Sequence, residues 1–194
     1  MKLVFNLILV AIVGVLLYAL YAGIKEPIEF KNVTEYREQK VIDKLQMIRR
    51  AQEAYRDVTG GDFAGTWDTL KQVLTEDDFK IVKIVADPND PTNEELFRYD
   101  TLRRPAIDSI AALGIRLDSM EYVPFGDGAK FFIQADTTTF QKVLVNVVEV
   151  GANRKVYLGK YADKKYKKYD DTFNPNKTVK FGDMNKPTLA GNWE

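Results

Sequence analysis

The sequence predicts an α+β protein carried on an N-terminal transmembrane helix, with an amphipathic helix packed on an antiparallel β-sheet. Three observations lead there: a charge-free apolar run from Leu3 to Ile24, a helical period from about Val33 to Val58, and then a change to β-branched and aromatic runs separated by turn residues.

The apolar run, "LVFNLILVAIVGVLLYALYAGI", is 22 residues long with Asn6 as its only strongly polar side chain. As a helix it spans about 33 Å, close to the roughly 30 Å hydrocarbon core of a bilayer. Residues 1–24 therefore read as a membrane anchor whose partner is lipid along residues 3–24. Tyr18 and Tyr21 fall at the level of an interfacial aromatic belt, and Lys2 with the α-amino group marks the short flank as cytoplasmic. The expected location is the inner membrane, single-pass, with the rest of the chain periplasmic or extracellular. A cleaved signal peptide would have a shorter apolar core and small residues at its cleavage site, which Leu20 to Ala22 match poorly. A buried core helix would need an apolar partner surface all round, and no second run of comparable length exists.

Residues 25–32, "KEPIEFKN", read as a juxtamembrane stalk, because Pro27 lacks the N–H a helix needs and disfavours helix at Glu26. Asn32 and Glu35 then form a capping-box start for the amphipathic helix. Val41, Leu45, Ile48 and Tyr55 make its apolar stripe, and Glu38, Lys44, Arg49, Arg50, Glu53 and Arg56 its charged face. That stripe is the candidate interaction surface. Its expected partner is the sheet of the same chain, with an intermolecular coiled coil as the alternative. Gly60 or Gly61 supplies the left-handed C-cap.

Strands are expected at 79–86, 115–123, 130–135, 142–150 and 155–160, joined by tight connections such as "PFGDG" and "GAN". "RRPAIDSIAALG" predicts a short helix between the first two, with Pro105 in its first turn and Gly114 past its end. Residues 33–160 form the expected α+β domain. The lysine-rich and then Asn-, Pro- and Gly-rich segment 161–194 reads as an irregular wrapping or mobile end, with brief strand character at "TVKF".

The chemistry is narrow. The chain has 28 Lys and Arg against 28 Asp and Glu, so no single-sign field steers it to nucleic acid. It has no cysteine and no histidine, which removes thiol nucleophiles, imidazole bases, haem-ligating histidine, Cys/His zinc sites and disulfides. No catalytic residue, cofactor, metal or small-molecule substrate is expected. A hydrolase built on two carboxylates is the enzymatic alternative.

Four motifs each admit a chemical reading and a plainer one. Gly60 and Gly61 follow a helix rather than a strand, and Lys71 lies beyond the next helix start, so the pair ends a helix rather than cradling phosphate. Phe63 then packs into the body, and Thr66 caps a short helix holding Trp67 and Leu70. Asp87, Asp90, Glu94 and Glu95 offer oxygen ligands to calcium without EF-hand spacing, and read first as a solvated turn. "KYADKKYKKYDD", residues 160–171, mixes lysine with tyrosine. It reads first as an edge strand protected by charge, and second as a contact for anionic lipid, glycan or an acidic partner through Lys164, Lys165, Lys167 and Lys168. The sequons at Asn32 and Asn176 are short enough to arise by chance.

"RRAQEAYRDVTGGDFAGTWDTL" resembles the junction of pilins and pseudopilins, with Ala54, Tyr55, Gly61, Phe63, Thr66 and Leu70 carrying the match over about 20 residues. The resemblance implies a pilin-like body, with a membrane-embedded first helix and a following antiparallel sheet. The apolar run begins at Leu3 and holds no acid, so prepilin processing and pilus polymerisation are not expected. The expected role is a structural or adaptor protein of a bacterial envelope assembly of the secretion or motility type, contacting other envelope proteins or itself. A pseudopilin-like filament subunit is the alternative.

Overall fold

The computed structural model describes residues 2–85 and 98–194. Its first element, α1, is a single helix, Lys2–Thr59, of 58 residues, about 87 Å long at the usual rise. The stalk expected at 25–32 is not a break, because Pro27 lies inside the helix. Proline removes one ladder bond, but packing on the following turn holds the backbone helical. Phe30 is only 3% exposed, and the Thr34 hydroxyl donates to the Phe30 carbonyl at 2.8 Å. Asn32 is consequently a mid-helix residue and caps nothing.

One face explains the continuity. Phe30, Thr34, Arg37, Val41, Leu45, Ile48, Gln52 and Tyr55 recur at steps of three and four residues, so a single line runs up α1 from Phe30 toward its C-terminus. Gly60 and Gly61, at φ +82° and +135°, turn the chain out of the helix, and both amides donate to the Arg56 carbonyl at 3.0 and 2.9 Å. Glycine tolerates those angles without a Cβ penalty.

Thr66 caps α2 (Trp67–Glu76) by accepting from the Thr69 amide, and Trp67, Leu70 and Leu74 are buried on its inner side. Phe63 packs at the edge of the same core. β1 (Asp78–Val85) and β2 (Arg98–Pro105) pair antiparallel, from Asp78 opposite Pro105 to Val85 opposite Arg98. α3 (Ala106–Ala112) follows and buries Ala106 and Ile110.

The strand expected at 115–123 is absent. A 3₁₀ turn at Leu117–Ser119 stands there, and Met120 and Val123 are buried at three-residue rather than two-residue spacing. β3 (Phe132–Phe140) and β4 (Val143–Asn153) form a hairpin. Gln141 and Lys142, at φ +49° and +69°, make its two-residue loop. β5 (Thr178–Gly182) adds to the other side of β4, giving the order β3-β4-β5. Among the described residues the expected single sheet is thus two sheets, one of two strands and one of three.

The strand expected at 155–160 is a helix instead. The Asn153 side chain accepts from the Lys155 amide and starts α4 (Arg154–Leu158), so a local cap outweighs the β-propensity of Val156 and Tyr157. Segment 161–194 is integral to the body: Tyr161, Tyr166, Phe173, Val179 and Phe181 all belong to the core.

The direction of the return path positions the site. At the far end of α1, the Asn146 amide donates to the Gly61 carbonyl at 3.0 Å. Lower down, Arg154 Nη2 donates to both Glu38 carboxylate oxygens at 2.6 and 2.7 Å, and Arg37 Nη1 donates to the Tyr157 carbonyl at 2.8 Å. β4 and α4 therefore run back along α1 toward its apolar N-terminal stretch.

Candidate functional site

The returning chain packs as a partial collar against α1 at Glu26–Phe30 before β5 turns back beside β4. Two 3₁₀ turns, Gly159–Ala162 and Lys164–Tyr169, place Tyr161, Tyr166 and Tyr169 against the helix. Phe30 is the hub. Its ring stacks on Tyr166 with centroids 4.9 Å apart and planes 4° from parallel, and meets Phe173 edge-on at 5.0 Å. Tyr161 and Tyr169 close the ring of contacts at 6.0 and 6.1 Å, within the range where aromatic pairs add to plain burial.

A polar clamp surrounds the aromatic hub. The Tyr169 hydroxyl donates to Glu26 and the Tyr161 hydroxyl to Glu29. Lys168 lies 3.6 Å from Glu26 and Lys160 lies 3.5 Å from Glu29. The Tyr169 hydrogen bond holds the Glu26 carboxyl below its ordinary pKa, and the Tyr161 hydrogen bond, helped by the Lys160 charge, does the same for Glu29. A carboxylate with a lowered folded-state pKa stabilises the fold above its unfolded pKa, and loses that contribution as pH falls through the folded value. The collar should therefore be unchanged from pH 7 to about 5, then loosen on further acidification, and this should be absent in Glu26→Gln/Glu29→Gln. Protease sensitivity of the 160–173 segment against pH measures it.

Beside the collar is a cleft of about 580 Å³ lined by Pro27, Lys31, Glu38, Arg154, Tyr169 and Phe173, among others. Arg154 is committed to Glu38 through Nη2, and its Nε is buried without a partner. The open flank formed by Tyr21, Ile24 and Ile28 is a helix surface rather than a cavity, and Ile28 is 54% exposed.

Glu121, 6% exposed, is bridged by Lys71 and Lys130, each at 3.0 Å. Burial opposes its charge, but the hydrogen bonds from Lys130 and Lys71 outweigh that and lower its pKa. Every perturbed carboxylate among the described residues, namely Glu26, Glu29, Glu121, Asp170, Asp183 and Glu194, is shifted down. None of these is an acid held protonated for proton donation at neutral pH. No group of three or more His, Cys, Asp or Glu is placed to hold a metal among the described residues. The acidic turn containing Asp87, Asp90, Glu94 and Glu95 lies outside the described residues.

The residues singled out from sequence divide sharply. Val41, Leu45 and Ile48 are fully buried and Tyr55 is 8% exposed, all in the chain's own core. They pack within their own chain, as the first reading of the stripe expected, and the same burial leaves little of it for the intermolecular coiled coil kept as the alternative. Lys164, Lys165, Lys167 and Lys168 are exposed as expected, but on a 3₁₀ turn rather than an edge strand. The sequence reading missed Glu26, Glu29, Phe30 and the tyrosines as partners. Phe30 was within reach of it, lying eleven residues, or three turns, below Val41 on the same face.

No family model, curated protein or solved structure matches the chain.

Proposed function

We propose that this is a single-pass membrane protein whose folded domain serves as a structural or adaptor part of a bacterial envelope assembly. The observation that carries this reading is α1. Its apolar N-terminal stretch is long and apolar enough to cross a membrane and is fully exposed in the isolated chain, while the same unbroken helix supplies Phe30, Val41, Leu45 and Ile48 to the domain core. A rod shared between bilayer and core fixes the height and tilt of the domain over the membrane. A flexible stalk would leave both free. Such a mount suits a part that presents a surface to neighbouring envelope proteins.

The domain is placed outside the cytoplasm on the strength of Lys2 and the α-amino group. Lys25, Lys31 and Arg37 follow the apolar run on its other flank, and protease access in spheroplasts tests the assigned side.

The test is alkaline extraction of membranes, followed by intact-mass measurement and protease treatment of spheroplasts. Retention in the bilayer at unprocessed mass, with the domain cut from outside, supports the anchored adaptor. Release by alkali, or loss of about 22 residues as for a signal peptide, overturns it. The continuity of α1 favours one second reading, a pseudopilin-like filament subunit, because such a subunit also joins its membrane segment to its body by one helix. That reading predicts removal of only the first few residues and cross-links between the apolar segments of neighbouring copies.

A further inference from the structure

We infer that the collar is also a lipid-contact surface: Lys164, Lys165 and Lys167 engage the anionic phospholipid headgroups of the leaflet that the domain faces. The inference rests on the anchored reading of α1 and adds to it a specific lipid chemistry.

Position is the first argument. The charge-free run ends at Ile24, and Glu26 to Phe30 follow within about 3–9 Å along the helix axis. The headgroup layer outside the hydrocarbon core is about 5–8 Å deep on each side. The 3₁₀ turn Lys164–Tyr169 is fixed at that level, because Tyr166 stacks on Phe30 and Tyr169 bonds Glu26. Aromatic and basic side chains together are what a membrane interface favours.

Charge availability is the second. Lys160 and Lys168 are taken up by Glu29 and Glu26. Lys164, Lys165 and Lys167 are exposed and form no ion pair with protein among the described residues. Segment 160–171 holds five lysines against Asp163, Asp170 and Asp171, and Asp163 and Asp170 are engaged in local turns with the Lys165 and Thr172 amides. Lys165 lies over the Tyr166 ring at 4.8 Å, which keeps its ammonium at the collar without neutralising it. Three cations held within a Debye length of a charged surface, about 8 Å at physiological salt, are attracted to it.

The full-length chain is reconstituted in nanodiscs of pure phosphatidylcholine and of phosphatidylcholine with 30 mol% phosphatidylglycerol, roughly the charge of an anionic leaflet. Each lysine's rate of acylation by a water-soluble reagent is read by peptide mass spectrometry. Lys142, on the hairpin loop beyond the end of α1, is the control. The expected result is about threefold or greater slowing at Lys164, Lys165 and Lys167 in the anionic discs, unchanged Lys142, and recovery in 0.5 M salt. Equal rates in the two lipids would overturn the inference, whether the lysines face water or an acidic protein partner. Lys164→Gln/Lys167→Gln, which breaks no ion pair, should leave the domain folded while reducing the protection of Lys165. Undiminished protection there would also count against the inference. Failure of the chain to remain in the discs after an alkaline wash would sink the anchored reading itself, and that is seen before any lysine is labelled.

Discussion

Phe30→Ala should detach the aromatic collar, residues 159–173, from α1. Phe30 touches Tyr161, Tyr166, Tyr169 and Phe173 and is almost wholly buried. Truncating a buried phenylalanine costs about 3–5 kcal/mol, and the surrounding rings cannot close the gap because Glu26 and Glu29 hold two of them by their hydroxyls. The loss is local. Val41, Leu45 and Ile48 lie three to five turns further on, and their contacts with the body remain. Limited trypsin digestion should therefore show faster cleavage at Lys164 to Lys168 by about a hundredfold or more, since every 1.4 kcal/mol of local opening is a factor of ten. The rest of the domain should stay resistant. Ile28→Ala, on an exposed flank of the same helix, should change nothing measurable, which separates packing from a general weakening of α1.

Gln52→Leu should destabilise the far end of the domain by about 2–4 kcal/mol. Gln52 is fully buried on the apolar line of α1. Its amide donates to the Ala64 carbonyl at 2.9 Å, and its carbonyl accepts from the Ala64 amide at 3.0 Å. This pair ties the loop after Gly60 and Gly61 back to the helix that precedes it. Leucine matches the volume and gains apolar contact, but leaves both Ala64 groups buried and unpaired at about 1–3 kcal/mol each. A fall in the thermal midpoint of about 4–16 °C follows for a domain of this size. The change should register at Trp67, whose indole donates to the Phe131 carbonyl at 3.1 Å just beyond the loop. Gln52→Ala, which adds a cavity to the same two losses, should be worse than the leucine variant.

Local rules read the helices at either side of Pro27 well and the junction badly. The length and lack of charge of Leu3 to Ile24, the Val41 to Tyr55 line, the glycine C-cap and the Thr66 N-cap are each legible because period, charge and capping act within a few residues. At Pro27 the local penalty is real, but a single lost bond of this kind is outweighed when the next turn is packed, as Phe30 is. The apolar line was hard to follow below Val41 because Thr34 and Arg37 occupy its next two positions, and both are used in polar contacts rather than buried apolar ones. At 155–160 the β-propensity of Val156 and Tyr157 competed with one capping side chain, Asn153, and lost. The collar lay furthest out of reach. Its partners are separated by more than 130 residues in the chain, and nothing in "KYADKKYKKYDD" shows that three tyrosines face a helix while three lysines face away.

The α1 stripe is buried in the chain's own core, as expected of a helix packed on its own domain. Toward the apolar end of α1, the outer side of the collar with its exposed lysines and the exposed flank of the helix remain open among the described residues.

The central claim is that α1 passes from the bilayer into the domain without a hinge. Amide hydrogen exchange of the full-length chain in nanodiscs, resolved over residues 22–34, tests it most directly. Slow exchange is expected throughout that stretch, comparable to the segment around Leu45 and Ile48, with a local dip confined to the turn around Pro27. Exchange there at the rate of an unstructured linker, beside a protected anchor and a protected domain, would mean that the rod is jointed and that the domain does not sit at a fixed height and tilt.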